Sequence, residues 1–356
     1  MVDHLPGLAV PAFTVVVPLY NAQAYIAQTL DSVLAQTFGD FEVVVVDDAS
    51  TDSGPQIVAG FVARDPRVRM VTQENRGLAG ARNTGIRLAR GRYIALLDAD
   101  DLWLPAKLAL HFAHLEANPE IGLSYAPSLF IDEEGARLGI GQTPKLTDID
   151  AEHIFCRNPV GNGSAGVLRR AALDDVMFHI EAAEGRRACW FDESFRQSED
   201  VEMWTRLAAT TDWKFAGIAE PLTLYRVNNG GLSANVDKQL ATWRRFRDKL
   251  AGIAPDLVAT AGRRSESYQL RYLARRAAMN GQGLLAVRLV ARSLVLHPAI
   301  LSEEPKRTLA TAAFASLAVV APPKLFASMK RVVFQHLGRN AVRDPDRAPA
   351  AMAGVK

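Results

Sequence analysis

The chain has 356 residues, 49% of them hydrophobic and 22% charged, which excludes global disorder and leaves room for one large domain and a smaller one. Its net charge of +2 conceals a split: residues 1–230 carry 20 Lys and Arg against 31 Asp and Glu, whereas residues 231–356 carry 21 against 8. Two cysteines, Cys156 and Cys189, are too few for a disulfide framework and too scattered for a zinc site, which fits a reduced compartment.

Residues 13–17 (Phe-Thr-Val-Val-Val) form a β-branched run closed by Pro18, as a buried strand should. Helical spacing follows over residues 24–36, with Ile26, Leu30, Val33 and Leu34 on one face. A second buried strand is predicted over 41–46, running into Asp47-Asp48. Then come a helix over 54–63, a strand over 68–72, a helix over 80–88 and a strand over 93–97. Alternating strands and helices with near-continuous Val, Ile and Leu strands predict an α/β fold, a doubly wound, mostly parallel sheet flanked by helices. Ligands of such sheets sit at the carboxyl ends of the strands. Three strands here end in polar clusters: Pro18-Leu19-Tyr20-Asn21, Asp47-Asp48-Ala49-Ser50 and Asp98-Ala99-Asp100-Asp101.

From residue 106 to 226 the periodicity is mixed, with a Gly- and Asn-rich loop at 158–164. Beyond Gly231 the chain reads as helices over 237–251, 266–280, 283–296 and 324–337. Residues 341–356, rich in Ala, Pro and charge, are expected to be a disordered tail. No Lys or Arg precedes Arg64, so no secretory signal is expected, and the uncharged stretch 308–323 is shorter than the roughly 20 residues of a spanning helix. A cytoplasmic protein is expected. In the helix over 324–337, Leu325, Met329, Val332, Val333 and Leu337 form an apolar stripe beside Lys324, Lys330 and Arg331. That pattern suits either a peripheral hold on an anionic membrane at its inner face or a brace on the acidic part of the same chain. No nucleic-acid-binding motif is present.

The polar clusters allow specific chemistry. Asp98 and Asp100 project to the same side of an extended chain, where two hard oxygen ligands suit Mg²⁺ or Mn²⁺ with positions left for phosphates. A polar turn capped by Asp101 would look the same. Asp47-Asp48 can accept from a nucleobase or a ribose hydroxyl, or simply start a turn. The segment Asn75 to Asn83 offers glycines, a helix start and Arg82, a setting that favours an anion. Ser198-Glu199-Asp200 opens a helix carrying Val201, Trp204 and Leu207; a carboxylate there can complement the helix dipole or act as a general base, with its pKa lowered by the helix. His111 and His114 read as a solvated helix face, and Trp103 and Trp204 as packing residues.

Together, Val17-Pro18-Leu19-Tyr20-Asn21, Val46 to Asp52, Asn75 to Asn83, Leu97 to Asp101 and Ser198-Glu199-Asp200 resemble the motifs of an inverting family 2 glycosyltransferase of the GT-A fold. The resemblance implies a nucleotide-sugar-binding half at 1–105, an acceptor half with the base at 106–230, and a basic helical region at 231–340. It implies that Pro18, Tyr20 and Asn21 line the nucleobase pocket, Asp48 reads the base and Asp47 supports the loop. Asn75, Gly77, Arg82, Ala99, Asn162 and Glu199 would belong to the substrate site. Asp98 would lie near the ribose and the metal, Asp100 would bind a divalent cation (Mn²⁺ or Mg²⁺), and Asp200 would deprotonate an acceptor hydroxyl. The donor would be a nucleotide-sugar, UDP favoured, and the acceptor a carbohydrate or a lipid-linked glycan.

Two departures matter. Many relatives carry a His after the Tyr-Arg of a late strand, where this chain has Tyr225-Arg226-Val227-Asn228-Asn229. The Gln-x-x-Arg-Trp motif of processive synthases is missing, since Gln239 to Trp243 has the wrong spacing, so single-sugar transfer is expected. A nucleotidyltransferase would place a basic Gly-rich loop where Pro18 to Asn21 stands. A non-catalytic nucleotide-binding protein would have no need of Asp98, Asp100 and Asp200 together.

Overall fold

The computed structural model describes residues 10–182, 185–227, 236–321 and 326. Its first part runs β1 (Phe13–Leu19), α1 (Ile26–Leu34), β2 (Phe41–Asp47), α2 (Gly54–Arg64), β3 (Val68–Thr72), α3 (Gly77–Leu88) and β4 (Tyr93–Leu96). β1 pairs in parallel with both β2 and β4, setting Val15 beside Val43 and Ala95. Consecutive side chains of β1 enter opposite cores: Val15 and Val17 pack with Ile26, Leu30 and Leu108, whereas Val16 packs with Ala79 and Ile86. A strand covered by helices on both faces has no polar side, which is why β1 and β2 read as unbroken apolar runs.

The second part contains β5 (Leu102–Trp103), α4 (Lys107–Ala117), β6 (Ile121–Tyr125), β7 (Ser128–Ile131), β8 (Arg137–Gln142), α5 (Ala151–Cys156), β9 (Val167–Arg169) and α6 (Arg170–Asp174). It continues through β10 (Phe178–Ala182), β11 (Gly185–Cys189), α7 (Glu199–Thr210), β12 (Lys214–Gly217) and β13 (Thr223–Arg226). The main sheet has the order β12-β6-β9-β4-β1-β2-β3, so both parts build it. Only β9 runs antiparallel, between β4 and β6. A smaller sheet, β5-β13-β7-β8, stands beside the end of β4.

Among the described residues five helices follow: α8 (Val236–Ile253), α9 (Pro255–Met279), α10 (Gly283–Leu296), α11 (Ile300–Glu303) and α12 (Pro305–Val320). Their joint with the α/β part is both apolar and ionic. Phe155 of α5 stacks on Trp243 of α8 at 6.2 Å and meets Phe246 edge-on at 5.7 Å. Lys249 Nζ lies 2.7 Å from Asp192 and 2.8 Å from Glu202, and Arg264 lies 2.6 Å from Glu152. α12 occupies most of the stretch that sequence reading treats only as an uncharged run. Pro305 at its first turn and its alanines favour a helix. The helix expected at 324–337 and the tail at 341–356 fall almost wholly outside the described residues.

Candidate active site

Three loops meet the carboxyl ends of β1, β2 and β4, and hydrogen bonds cross between them. After β1, the Asn21 N–H donates to Ser50 Oγ at 3.2 Å, and Asn21 Oδ1 accepts from the Thr51 N–H at 2.8 Å. Asp47 Oδ1 accepts from the Ser50 N–H at 3.0 Å. Pro18 is buried within β1, whereas Tyr20 is 54% exposed. Asn21, Ala49 and Ser198 have φ of +50°, +63° and +59°, an uncommon conformation for residues with a Cβ. All three stand in loops that carry expected site residues, where such strain tends to collect.

Asp48 anchors the segment before α3. Its Oδ1 accepts from Gln73 Nε2 at 2.7 Å and the Arg76 N–H at 2.8 Å, and its Oδ2 from the Gly77 N–H at 2.8 Å. Asn75 Nδ2 donates to the Asp48 carbonyl at 3.0 Å. This remote cap lets α3 start at Gly77, three residues before the expected residue 80.

Arg82 does not lie open to solvent. It is 1% exposed and donates from Nη2 to Asp98 Oδ1 and from Nη1 to Glu199 Oε1, each at 2.7 Å. Though burial alone would lower its pKa, the Asp98 and Glu199 carboxylates drive it upward, so the guanidinium stays charged. Gly163 makes room for it: a Cβ there would stand 2.1 Å from Arg82 Nη2. One buried cation thus ties the end of β4 to the start of α7.

The Asp98–Asp101 turn is clamped from below. Asp98 donates its N–H to Ser164 Oγ at 3.0 Å, and Ser164 Oγ donates to Asp101 Oδ2 at 2.6 Å. Thr29 Oγ1 donates to the carbonyls of Ala99 and Asp101 at 2.8 and 3.0 Å. Arg226, 2% exposed, gives its N–H to Asp101 Oδ1 and its Nε–H to the Asp100 carbonyl. Asp101 is sealed, and burial together with the charges of Asp100 and Asp98 pushes its carboxyl well above the usual range. Asp98 and Asp100 remain half-buried, while Ala99 is buried. Asn162 is buried, with Nδ2 donating to Ser128 Oγ at 2.9 Å and Oδ1 lacking a partner among the described residues. Among those residues, no three His, Cys, Asp or Glu side chains form a metal-holding group by themselves.

At the start of α7, Glu199 is buried and Asp200 half-buried. Asp200 Oδ1 accepts from the Val201 N–H at 2.8 Å. The expectation that the helix start lowers the Asp200 pKa is overturned. Burial pushes it up, against the pull of Arg82 and with help from the Asp98 charge. Burial likewise carries Glu199 to about 7 in spite of Arg82.

Four supporting residues carry no role in the sequence analysis: Thr29, Ser164 and Arg226 at this turn and Gln73 at Asp48. Ser164 lies inside the Gly- and Asn-rich loop and Arg226 in the late Tyr-Arg pair, so those two stand in segments that the sequence does single out. His111 and His114 do not form a solvated face. His111 is fully buried against Lys107 Nζ at 3.3 Å and Ser124 Oγ at 2.8 Å, and His114 shares that hydroxyl at 2.8 Å. Trp103 and Trp204 pack in the core as expected.

The profile of Glycosyl transferase family 2 matches residues 14–177, the segment that holds β1 to β4 and the Asp98–Asp101 turn. This part of the chain belongs to glycosyl transferase family 2. An Escherichia coli relative of the family 2 domain, UDP-Glc:alpha-D-GlcNAc-diphosphoundecaprenol beta-1,3-glucosyltransferase WfaP, is 27% identical over 231 residues, covering 64% of this chain and 82% of WfaP. Several other curated glycosyltransferases are much longer, and the match spans 19–33% of their length. Staphylococcus aureus TarS, solved with UDP-GlcNAc, shares the fold at a TM-score of 0.56 and 18% identity, covering 90% of this chain and 92% of that one. The Pyrobaculum calidifontis mannosyltransferase PcManGT, solved with GDP-Man and Mn²⁺, does so at 0.54 and 22%, covering 92% and 86%. The fold of the family 2 domain is therefore GT-A.

Proposed function

We propose that the chain is an inverting, non-processive glycosyltransferase. It moves one sugar from a nucleotide-diphosphate sugar, UDP-sugars favoured, to a hydroxyl of a carbohydrate or lipid-linked acceptor, in polysaccharide or glycolipid synthesis. The observation that carries this reading is the Arg82 bridge, which fixes Asp98 on the donor side and Glu199 beside Asp200 on the acceptor side with one buried guanidinium. WfaP, whose name gives a UDP-glucose donor and a lipid-diphosphate acceptor, supports the choice of substrates.

Asp200 accepts the proton of the acceptor hydroxyl, whose oxygen attacks the anomeric carbon opposite the departing diphosphate and inverts it. A pKa raised by burial brings this carboxylate closer to the neutral range in which a base works best. Glu199 is held by Arg82 and fixes the start of α7 rather than meeting substrate. Asp98 and Asp100 fit a divalent cation of the Mn²⁺ or Mg²⁺ kind: two hard carboxylates leave the other positions to water and phosphate oxygens. Bound there, the ion would supply Lewis-acid stabilisation of the leaving diphosphate. Asp48, with Gln73, Arg76 and Gly77 fastened to it, keeps the nucleobase loop in shape.

A peripheral hold on an anionic membrane completes the proposal. On α10 the exposed Leu284, Val287 and Val295 lie on the same helix as Arg288 and exposed Arg292. Among the described residues no helix is long and apolar enough to cross a membrane. Sedimentation with anionic vesicles should remove the protein from solution at low salt and release it at high salt. The reaction itself is tested with a panel of nucleotide-sugars: one should raise the melting temperature and be slowly hydrolysed in Mn²⁺ or Mg²⁺. A panel with neither effect overturns the proposal.

A further inference from the structure

α3 packs Ala81 against Val44 and Val46 of the sheet and turns Arg82 to Asp98. Thr84 lies two residues past Arg82, roughly opposite it around the helix, on a face that the proposed reaction does not use. There the buried Thr84 Oγ1 accepts from Arg76 Nη2 at 2.6 Å and from Arg87 Nη2 at 3.1 Å. Two half-buried guanidiniums thus converge on one neutral oxygen. The hydroxyl gives its own proton to Gln73 Oε1 at 2.6 Å, an atom that Arg76 Nη2 also reaches. Gln73 Nε2 donates in turn to Asp48 Oδ1 at 2.7 Å, so the cluster adjoins the segment before α3.

Neither guanidinium has a carboxylate among the described residues. The Arg76 side chain bonds to Gln73 and Thr84, and that of Arg87 to Thr84 alone. Arg87 Nη1 is shut off from solvent and has no hydrogen-bond partner among the described residues. Glu193, whose charge reaches Arg87, is already engaged: Oε2 accepts from Arg187 at 2.8 Å and Oε1 from Asn83 Nδ2 at 3.1 Å. It therefore brings a third guanidinium together with its own charge. Burial and the like charges of Arg76 and Arg187 pull the Arg87 pKa down. Like charges held close in a partly dry setting oppose folding unless an anion stands between them. An arginine kept for structure alone looks different here, as Arg82 shows by forking onto Asp98 and Glu199.

We propose that Arg76 and Arg87, with Arg187 beside them, form a binding site for a phosphate dianion, inorganic phosphate or a phosphomonoester, separate from the place of the donor diphosphate. Two unmatched guanidiniums favour a dianion over chloride, a carboxylate or a lipid phosphodiester. Their forked N–H groups suit phosphate oxygens, and Arg87 Nη1 is one donor that no described residue uses. The site does not depend on glycosyl transfer and stands apart from the function proposed above.

The test is thermal melting of the full chain with and without low-millimolar inorganic phosphate, the ionic strength matched with NaCl. Wild type should melt higher in phosphate, because the ion binds the folded chain. Arg76→Gln and Arg87→Gln should lose that gain, and calorimetry should show their phosphate affinity weakened about ten-fold, the scale of one lost charge-assisted hydrogen bond. Arg87→Lys, which keeps the charge without the fork, should retain part of the gain. The readout is the gain from phosphate, so a variant that is merely less stable does not imitate its loss. An equal gain in wild type and both Gln variants, the mark of a general salt effect, overturns the site, as does no gain in wild type. The gain should also persist with UDP and Mg²⁺ present. If UDP abolishes it, the phosphate sits at the donor place and the proposal falls. If UDP does not bind while the phosphate gain remains, the transferase reading fails and this site stands.

Discussion

At the carboxyl ends of β1, β2 and β4, carboxylates outnumber cations and are fixed by neighbours from other loops, Arg82 and Arg226 above all. In the C-terminal helices the excess runs the other way, and much of it turns inward. Lys249 reaches Asp192 and Glu202, Arg264 reaches Glu152 and Glu303, Arg157 reaches back to Glu304, and Arg244, Arg247 and Arg292 gather on Glu266. The opposite charges of the two regions therefore serve in part as a brace between them. Acidic strand ends hold the proposed chemistry, and basic helices fasten the second part of the α/β region, which carries α5 and α7.

The largest effect should come from the acidic side. Asp200→Asn should keep UDP affinity within a few-fold while lowering turnover by roughly 10²–10⁴, the usual consequence of removing a general base. Transfer at the wild-type rate would move the base elsewhere. For wild type, the raised Asp200 pKa places the acidic limb of kcat/KM above the ordinary aspartate range.

The brace is tested by removing one partner. Lys249→Ala leaves the 2%-exposed Glu202 side chain without one of its cations and should cost about 1–3 kcal/mol in denaturant unfolding. Arg64→Ala breaks a pair whose side chains are 56% and 65% exposed and should cost no more than about 1 kcal/mol. Equal losses would show that the joint is held by Phe155, Trp243 and Phe246 alone.

The smallest effect is a pH trend. Glu199, raised to about 7 in the folded chain from an ordinary 4.5, binds its proton more tightly folded than unfolded. Its contribution is present below pH 4.5 and is lost as pH rises through 7. The melting temperature of Glu199→Gln should therefore gain on wild type between pH 5 and 8, whatever the offset from losing the Arg82 pair. A difference that stays flat or shrinks contradicts the burial of that carboxyl.

How much of this was legible in the sequence follows from how local each cause is. β3 and α10 form over the expected residues, and β1, β2 and β4 within two residues of them, because periodicity in one strand or helix is a local signal. The polar strand ends were legible for the same reason. Partnerships set by the fold were not. Nothing near Arg82 in the chain marks it as a bridge between residues 16 and 117 positions further along. Arg226 reaches Asp100 and Asp101 from 126 and 125 residues away. The buried His111 looked like a surface residue because its partners, Lys107 and Ser124, are polar too. Asp200 shows the same limit: the helix start is visible in the sequence, but the burial that reverses its pKa is not.

The central claim is that the ends of β1, β2 and β4 form a metal-assisted nucleotide-diphosphate site, and UDP calorimetry with and without Mn²⁺ tests it most directly. Wild type should bind UDP more tightly with the ion, and Asp100→Ala should abolish the difference while keeping the metal-free affinity. Equal UDP affinity with and without Mn²⁺ in wild type would contradict the assignment of Asp98 and Asp100.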